Sequence, residues 1–146
     1  MNQHTNKRIL QPYLSFEGRC EEALEFYRKS IGAEVTVLLR HRDSPDPGAS
    51  APDSLDKVMH ASVRIGESTM FASDGRCGGK PNFQGIWLAL TVPDEADAQR
   101  LFDALAESGE VQLPLTKTFF SPRFGMVTDC FGVSWMIQAA SPAKKG

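Results

Sequence analysis

The chain has 146 residues, 41% hydrophobic and 23% charged, with a formal net charge of −2. That supplies apolar material for one domain with a sizeable core, or for two small repeated modules, and the charge balance excludes a broad electrostatic nucleic-acid surface. There is no run of about 18 apolar residues to span a membrane, and residues 1–8 are polar, without the apolar stretch of a signal region.

Residues 1–8 read as a loose tail. Residues 10–16 are rich in large apolar and aromatic groups and read as a strand, broken by Gly18. From 19 to 31 the spacing turns helical. Cys20, Leu24, Tyr27 and Ile31 form one stripe, acidic residues come early, Arg28 and Lys29 come late, and Gly32 is the stop. Residues 34–41 alternate, with Val35, Val37 and Leu39 on one side. Residues 42–56, rich in proline, serine and aspartate, read as a long loop.

A hairpin is expected over 58–71, turning at Gly66-Glu67 and returning through Met70 to about Ser73. Its alternation sets Met59, Ala61, Val63 and Ile65 on one face and His60, Ser62 and Arg64 on the other. Residues 74–82 form a glycine-containing linker. Residues 86–92 are apolar enough to predict a buried strand. Asp94 and Asp97 mark the start of a second helix, with Ala98, Leu101, Phe102 and Leu105 as its apolar face and Gly109 beyond its end. A short strand at 111–115 follows, then a mixed segment from 118. A last hairpin runs over 125–128 and 133–138, and residues 141–146 form a charged tail. Cys20, Cys77 and Cys130 are odd in number and far apart. They suit neither a disulfide framework nor a paired zinc motif, and point to a reducing cytoplasmic compartment.

The element order repeats: strand, helix and three strands, twice. Setting residues 15–35 beside 91–111 without gaps aligns Phe26 with Phe102 and Glu34-Val35 with Glu110-Val111, while Gly66 and Gly132 mark corresponding turns. The modules span about 9–75 and 83–140. The expected fold is α+β, two βαβββ modules forming a half-closed eight-stranded barrel with outer helices, within one domain over 1–146.

Several segments carry a family resemblance. They are Pro12-Tyr13-Leu14-Ser15-Phe16, Glu21-Glu22-Ala23-Leu24-Glu25-Phe26-Tyr27 and Ile31-Gly32-Ala33-Glu34, then His60-Ala61 with Ser73-Asp74. Gly125-Met126-Val127-Thr128-Asp129, Phe131-Gly132-Val133 and Trp135-Met136-Ile137 follow. Together these resemble the vicinal oxygen chelate superfamily, which includes glyoxalase I, bleomycin-resistance proteins and extradiol dioxygenases, and within it the PhnB-like branch. The resemblance implies a homodimer. It also implies a divalent metal held by His and Glu on cleft-facing strands in the enzymes. Carried onto this chain, those positions fall near Pro12, Trp87 or Leu88, Met136, and Met70 or Phe71, none a hard nitrogen or oxygen ligand. No cofactor is therefore expected, a divalent metal at an atypical site being the alternative. The branch commonly carries a demethylubiquinone methyltransferase label, yet the sequence shows no glycine motif for a methyl-donor nucleotide.

His60 is the leading candidate for chemistry, with Asp74 placed to orient its imidazole across the sheet. Ser62, Trp87, Phe120, Arg123 and Trp135 are the candidate ligand-binding residues, the aromatics as an apolar surface for a planar molecule. The leading functional reading is a metal-free small-molecule binder with no nucleic-acid or membrane partner. The alternatives are a metal-dependent lyase, isomerase or dioxygenase built around His60, and a non-catalytic regulatory or structural dimer.

Overall fold

In the computed structural model, which describes residues 7–45, 54–75 and 79–140, the first half of the chain forms β1 (Tyr13–Ser15), α1 (Cys20–Ile31), β2 (Glu34–Arg40), a 3-10 turn (His41–Asp43), β3 (Val58–Ile65) and β4 (Ser68–Ser73). The second half forms β5 (Trp87–Val92), α2 (Glu95–Ala106), β6 (Glu110–Thr116), β7 (Phe124–Thr128) and β8 (Ser134–Ala139). The βαβββ order is present twice, and the strand orders match: β1-β4-β3-β2 in one sheet, β5-β8-β7-β6 in the other. In each sheet the first strand of the module runs parallel to the last, and the other neighbours are antiparallel. The fold is α+β, with one four-stranded mixed sheet in each module. The described residues group into two compact units, one holding residues up to Glu25 and Gly32–Gly79, the other Phe26–Ile31 and residues from Lys80 onward. Helix α1 thus contributes its first half to one unit and its second half to the other.

In the first unit the start of α1 is fixed by a carboxylate from far along the chain. Asp74, buried at the end of β4, accepts from Gly18 N at 3.0 Å and Cys20 N at 2.7 Å with one oxygen, and from Val58 N at 2.7 Å with the other. It therefore satisfies amides that the helix itself leaves unpaired, and its charge complements the helix dipole. The next residue has to be glycine. Gly75 has φ +58°, and a Cβ there would collide with the side chains of Ser15 and Glu17.

Strand β1 is shorter than the 10–16 span expected. Phe71 N donates to Pro12 O and Phe16 N to Ser73 O, so pairing with β4 ends at those residues and Ile9 and Leu10 lie outside it, exposed. In β3, Ala61, Val63 and Ile65 are buried as alternation predicts, but Met59 is only half-buried and Val58 takes the inner place. The β2–β3 register passes from Leu39↔His60 to Arg40↔Val58, which leaves Met59 as the extra residue of an irregularity and shifts the pattern by one.

Helix α2 starts at Asp94, whose side chain accepts from Asp97 N at 2.8 Å, and buries Ala98, Leu101, Phe102 and Leu105 as expected. The helix approaches β7 closely at Gly125, where a Cβ would lie 2.8 Å from the Phe102 ring. The expectation of a fully buried β5 does not hold. Leu88 and Leu90 are half-buried, whereas Trp87, Ala89 and Thr91 are exposed. β5 is an edge strand with one covered face, so its apolar run is split by the pleat. Part of the expected 42–56 loop, the linker residues around Cys77 and the C-terminal tail lie outside the described residues.

Candidate functional site

Each sheet has one face in the core and one face open. On the first sheet the open face carries His60. The register sets Tyr13 beside Phe71, Phe71 beside Ser62, and Ser62 beside Val37, with His60 opposite Leu39. The His60 ring lies 5.3 Å from that of Phe71 and 6.1 Å from that of Tyr13, both tilted. Ser62 is half-buried on the same face, as alternation predicts. Tyr13 is 55% exposed and Leu39 40%, so the aromatic group is accessible from outside. No hydrogen bond to either His60 ring nitrogen is formed by the described residues. The expected pairing with Asp74 is not made: three backbone amides take both Asp74 oxygens, and the aspartate anchors the helix instead of orienting the imidazole.

The open face of the second sheet is polar at one end. The Trp87 indole donates to Gln112 Oε1 at 3.1 Å, Gln112 Nε2 donates to Thr128 Oγ1 at 2.7 Å, and the Thr128 and Ser134 hydroxyls share a hydrogen bond of 3.0 Å. Gln112 is the extra residue where the β6–β7 register jumps from Val111↔Val127 to Leu113↔Met126, and such a bulge re-aims a side chain. Farther along, Met126 and Met136 pair on the same face. Phe120 lies in an edge-to-face chain with Phe119 and Phe124, at 5.1 Å from each. Arg123 Nε sits 3.4 Å from Glu95 on the protein surface.

Trp135, expected at a ligand surface, is inside. It is buried beneath the sheet and donates its indole N–H to Asp129 Oδ2 at 2.9 Å. Asp129 was missed in the sequence. Its buried carboxylate also accepts from the Tyr27 hydroxyl at 2.6 Å and from the amides of Phe131 and Val133 at 2.8 and 3.1 Å. Burial, and then the Asp129 charge, push the Tyr27 phenol far above its usual pKa. An aspartate opening a tight turn before Gly132 is the signal that could have revealed it. The residue acts in packing, as a junction of four donors.

The positions at which the resemblance implies metal ligands carry Pro12, Trp87, Leu88, Met136, Met70 and Phe71, a donor set that does not fit a divalent metal. Elsewhere among the described residues no three His, Cys, Asp or Glu side chains converge.

The family described as 3-demethylubiquinone-9 3-methyltransferase matches residues 8–138. The chain belongs to this family. It is a PhnB-like chain. Protein YjdN of Escherichia coli K12 is 35% identical to this PhnB-like chain over 136 residues, 88% of this chain and 92% of that one. The crystal structure of protein PA1353 from Pseudomonas aeruginosa is similar with 39% identity and a TM-score of 0.80, over 92% of this chain and 98% of that one. A Bacillus cereus structure, described as a putative 3-demethylubiquinone-9 3-methyltransferase, PhnB protein, is similar with 26% identity and a TM-score of 0.73, over 91% and 100% of the two chains. More distant solved glyoxalase/bleomycin-resistance-type domains share the fold of the PhnB-like chain.

Proposed function

We propose that this PhnB-like protein binds a small, partly planar molecule on the open face of its first sheet, with His60 as the polar contact. The observation that carries the reading is a half-buried imidazole clustered with two aromatic rings, with both nitrogens free of partners among the described residues. A neutral imidazole presents one donor and one acceptor, and the rings of Tyr13 and Phe71 supply contact area with few rotamers to freeze. Ser62 adds a hydroxyl, and Val37 and Leu39 extend the apolar surface. Binding is favoured over the methyl transfer in the family's name because the sequence has no glycine-rich motif for a methyl-donor nucleotide. A homodimer is the assembly we propose from the family resemblance, and the cytoplasm is the compartment we propose from the three cysteines, which read as unpaired.

The test is a nuclear magnetic resonance titration with a set of planar heteroaromatic compounds, read at the His60 imidazole and Tyr13 ring signals. Saturable shifts at both groups are expected for some members, with the affinity reduced about tenfold in His60→Ala. A set that leaves both signals unmoved, or binds the variant equally well, overturns the reading.

A further inference from the structure

A groove of about 560 Å³ lies at the polar end of the second sheet, within the second unit. That volume suits a small molecule. Its polar lining comes from Lys80, Asn82, Gln84, Gln112, Thr128 and Ser134, and none of its lining residues is acidic.

The chemistry of the groove follows from counting protons. The Trp87 indole nitrogen can only donate, so the bond to Gln112 fixes that amide with its oxygen toward the indole and its NH2 toward Thr128. One of the two Gln112 amide protons is used there, and the other has no partner among the described residues. Thr128 and Ser134 bring two hydroxyl protons to one shared contact. Whichever of them donates, one hydroxyl proton is left over at the groove wall. Asn82 is oriented in the same way: its Oδ1 accepts from Gln84 N at 3.1 Å, which leaves both amide protons unused. Lys80 is exposed and makes no ion pair or hydrogen bond with the described residues. The side-chain carbonyls of Asn82 and Gln112 are therefore engaged, while an ammonium, three amide protons and one hydroxyl proton are free. The Gln84 amide can turn either way.

We propose that this groove is an oxyanion site, taking the carboxylate or phosphate group of a small molecule. A donor-rich wall with one cation and no carboxylate matches an acceptor-only, negatively charged group. A cationic or donor-rich ligand would leave these protons unpaired. The inference is independent of the His60 reading, because it concerns other residues, another unit and another ligand chemistry.

The experiment titrates the full chain with inorganic phosphate and, separately, acetate, following the side-chain NH2 signals of Asn82 and Gln112 and the Trp87 indole N–H. Saturable shifts at all three are expected with at least one anion, and the stronger of the two identifies the group recognised. Lys80→Gln is expected to weaken binding about tenfold, as loss of a charge-assisted contact does. Trp87→Phe keeps an aromatic side chain and removes the N–H that orients Gln112, and should weaken binding about threefold. It also tests the groove in a variant whose exposed position tolerates the change. Shifts that do not saturate, or that persist unchanged in both variants, overturn the proposal.

Discussion

The two modules share a strand order, a parallel outer pair and even a bulge. In each, the strand after the helix skips one residue against its neighbour: Thr36 in β2 and Gln112 in β6. The two residues occupy corresponding positions when Glu34-Val35 is set on Glu110-Val111. Thr36 uses its hydroxyl to donate to the Ser62 backbone oxygen, closing on its own sheet. Gln112 reaches across to Trp87 and Thr128. The buried faces of the modules thus follow one plan, whereas their open faces diverge, one presenting an imidazole among aromatics and the other a ladder of amides and hydroxyls. A duplicated fold can hold its backbone irregularities and still exchange the chemistry mounted on them.

Each unit also depends on one buried aspartate, and the contrast between the two gives the largest expected effects. Asp129 joins two side-chain donors, Tyr27 and Trp135, to two backbone amides. Asp129→Ala strands all four in the core and should cost about 3–5 kcal/mol, since each unpaired buried donor carries its own desolvation penalty. Chemical denaturation followed by tryptophan fluorescence measures it. A loss below that of the Asp74 variant would remove Asp129 as the stronger anchor.

Asp74 serves backbone amides only. Asp74→Ala should cost about 2–3 kcal/mol, part of it the loss of a helix N-terminal acceptor. The damage should be local, with faster hydrogen exchange at Cys20 and Val58 and little change in the second unit. Uniformly faster exchange across both units would contradict the separation of the two anchors.

The α+β class, the repeat and the apolar face of α2 were legible because each rests on local periodicity and turn residues. So was the face that carries His60, since parity along β3 sets it. The partners of His60 were not legible. Tyr13 and Phe71 come together through a parallel register between strands far apart in the chain. The role of Asp74 was misread for the same reason: its amide partner Cys20 lies 54 residues away. Met59 and Gln112 show the other limit, because one bulge reverses which residues face out and no composition signal marks it. Trp135 looked like a ligand surface because an aromatic run reads alike on either face of a sheet.

A third test separates the units by pH. Burial, followed by the neighbouring Asp74 charge, pushes the Cys20 thiol up to about 12 from an ordinary value of 9.0. A group whose folded pKa is raised contributes stability that is complete below its unfolded value and is lost as pH rises toward the folded one. Between pH 9 and 12 the unfolded thiol ionises while the folded thiol stays neutral. Its contribution should fall by about 1.4 kcal/mol one pH unit above the unfolded value. Denaturation at a series of alkaline pH values should give a shallower slope for Cys20→Ala than for the parent. Equal slopes would mean that Cys20 is not held neutral by the fold.

The smallest effect on stability is expected at the bulge itself, and it is the sharpest test of the comparison. Gln112→Thr installs in the second module the residue type that the first carries at the same position. The site is exposed and the bulge geometry is already compatible with threonine at Thr36, so stability should change by no more than about 0.5 kcal/mol. The ladder, however, would lose its central member. A threonine hydroxyl is too short to span from Trp87 to Thr128, so the Trp87 indole N–H would turn to solvent and its resonance would move. Phosphate and acetate titration of the groove should weaken as well. A large stability loss would instead make Gln112 part of the framework, and the divergence between the two open faces would then reflect packing rather than ligand chemistry.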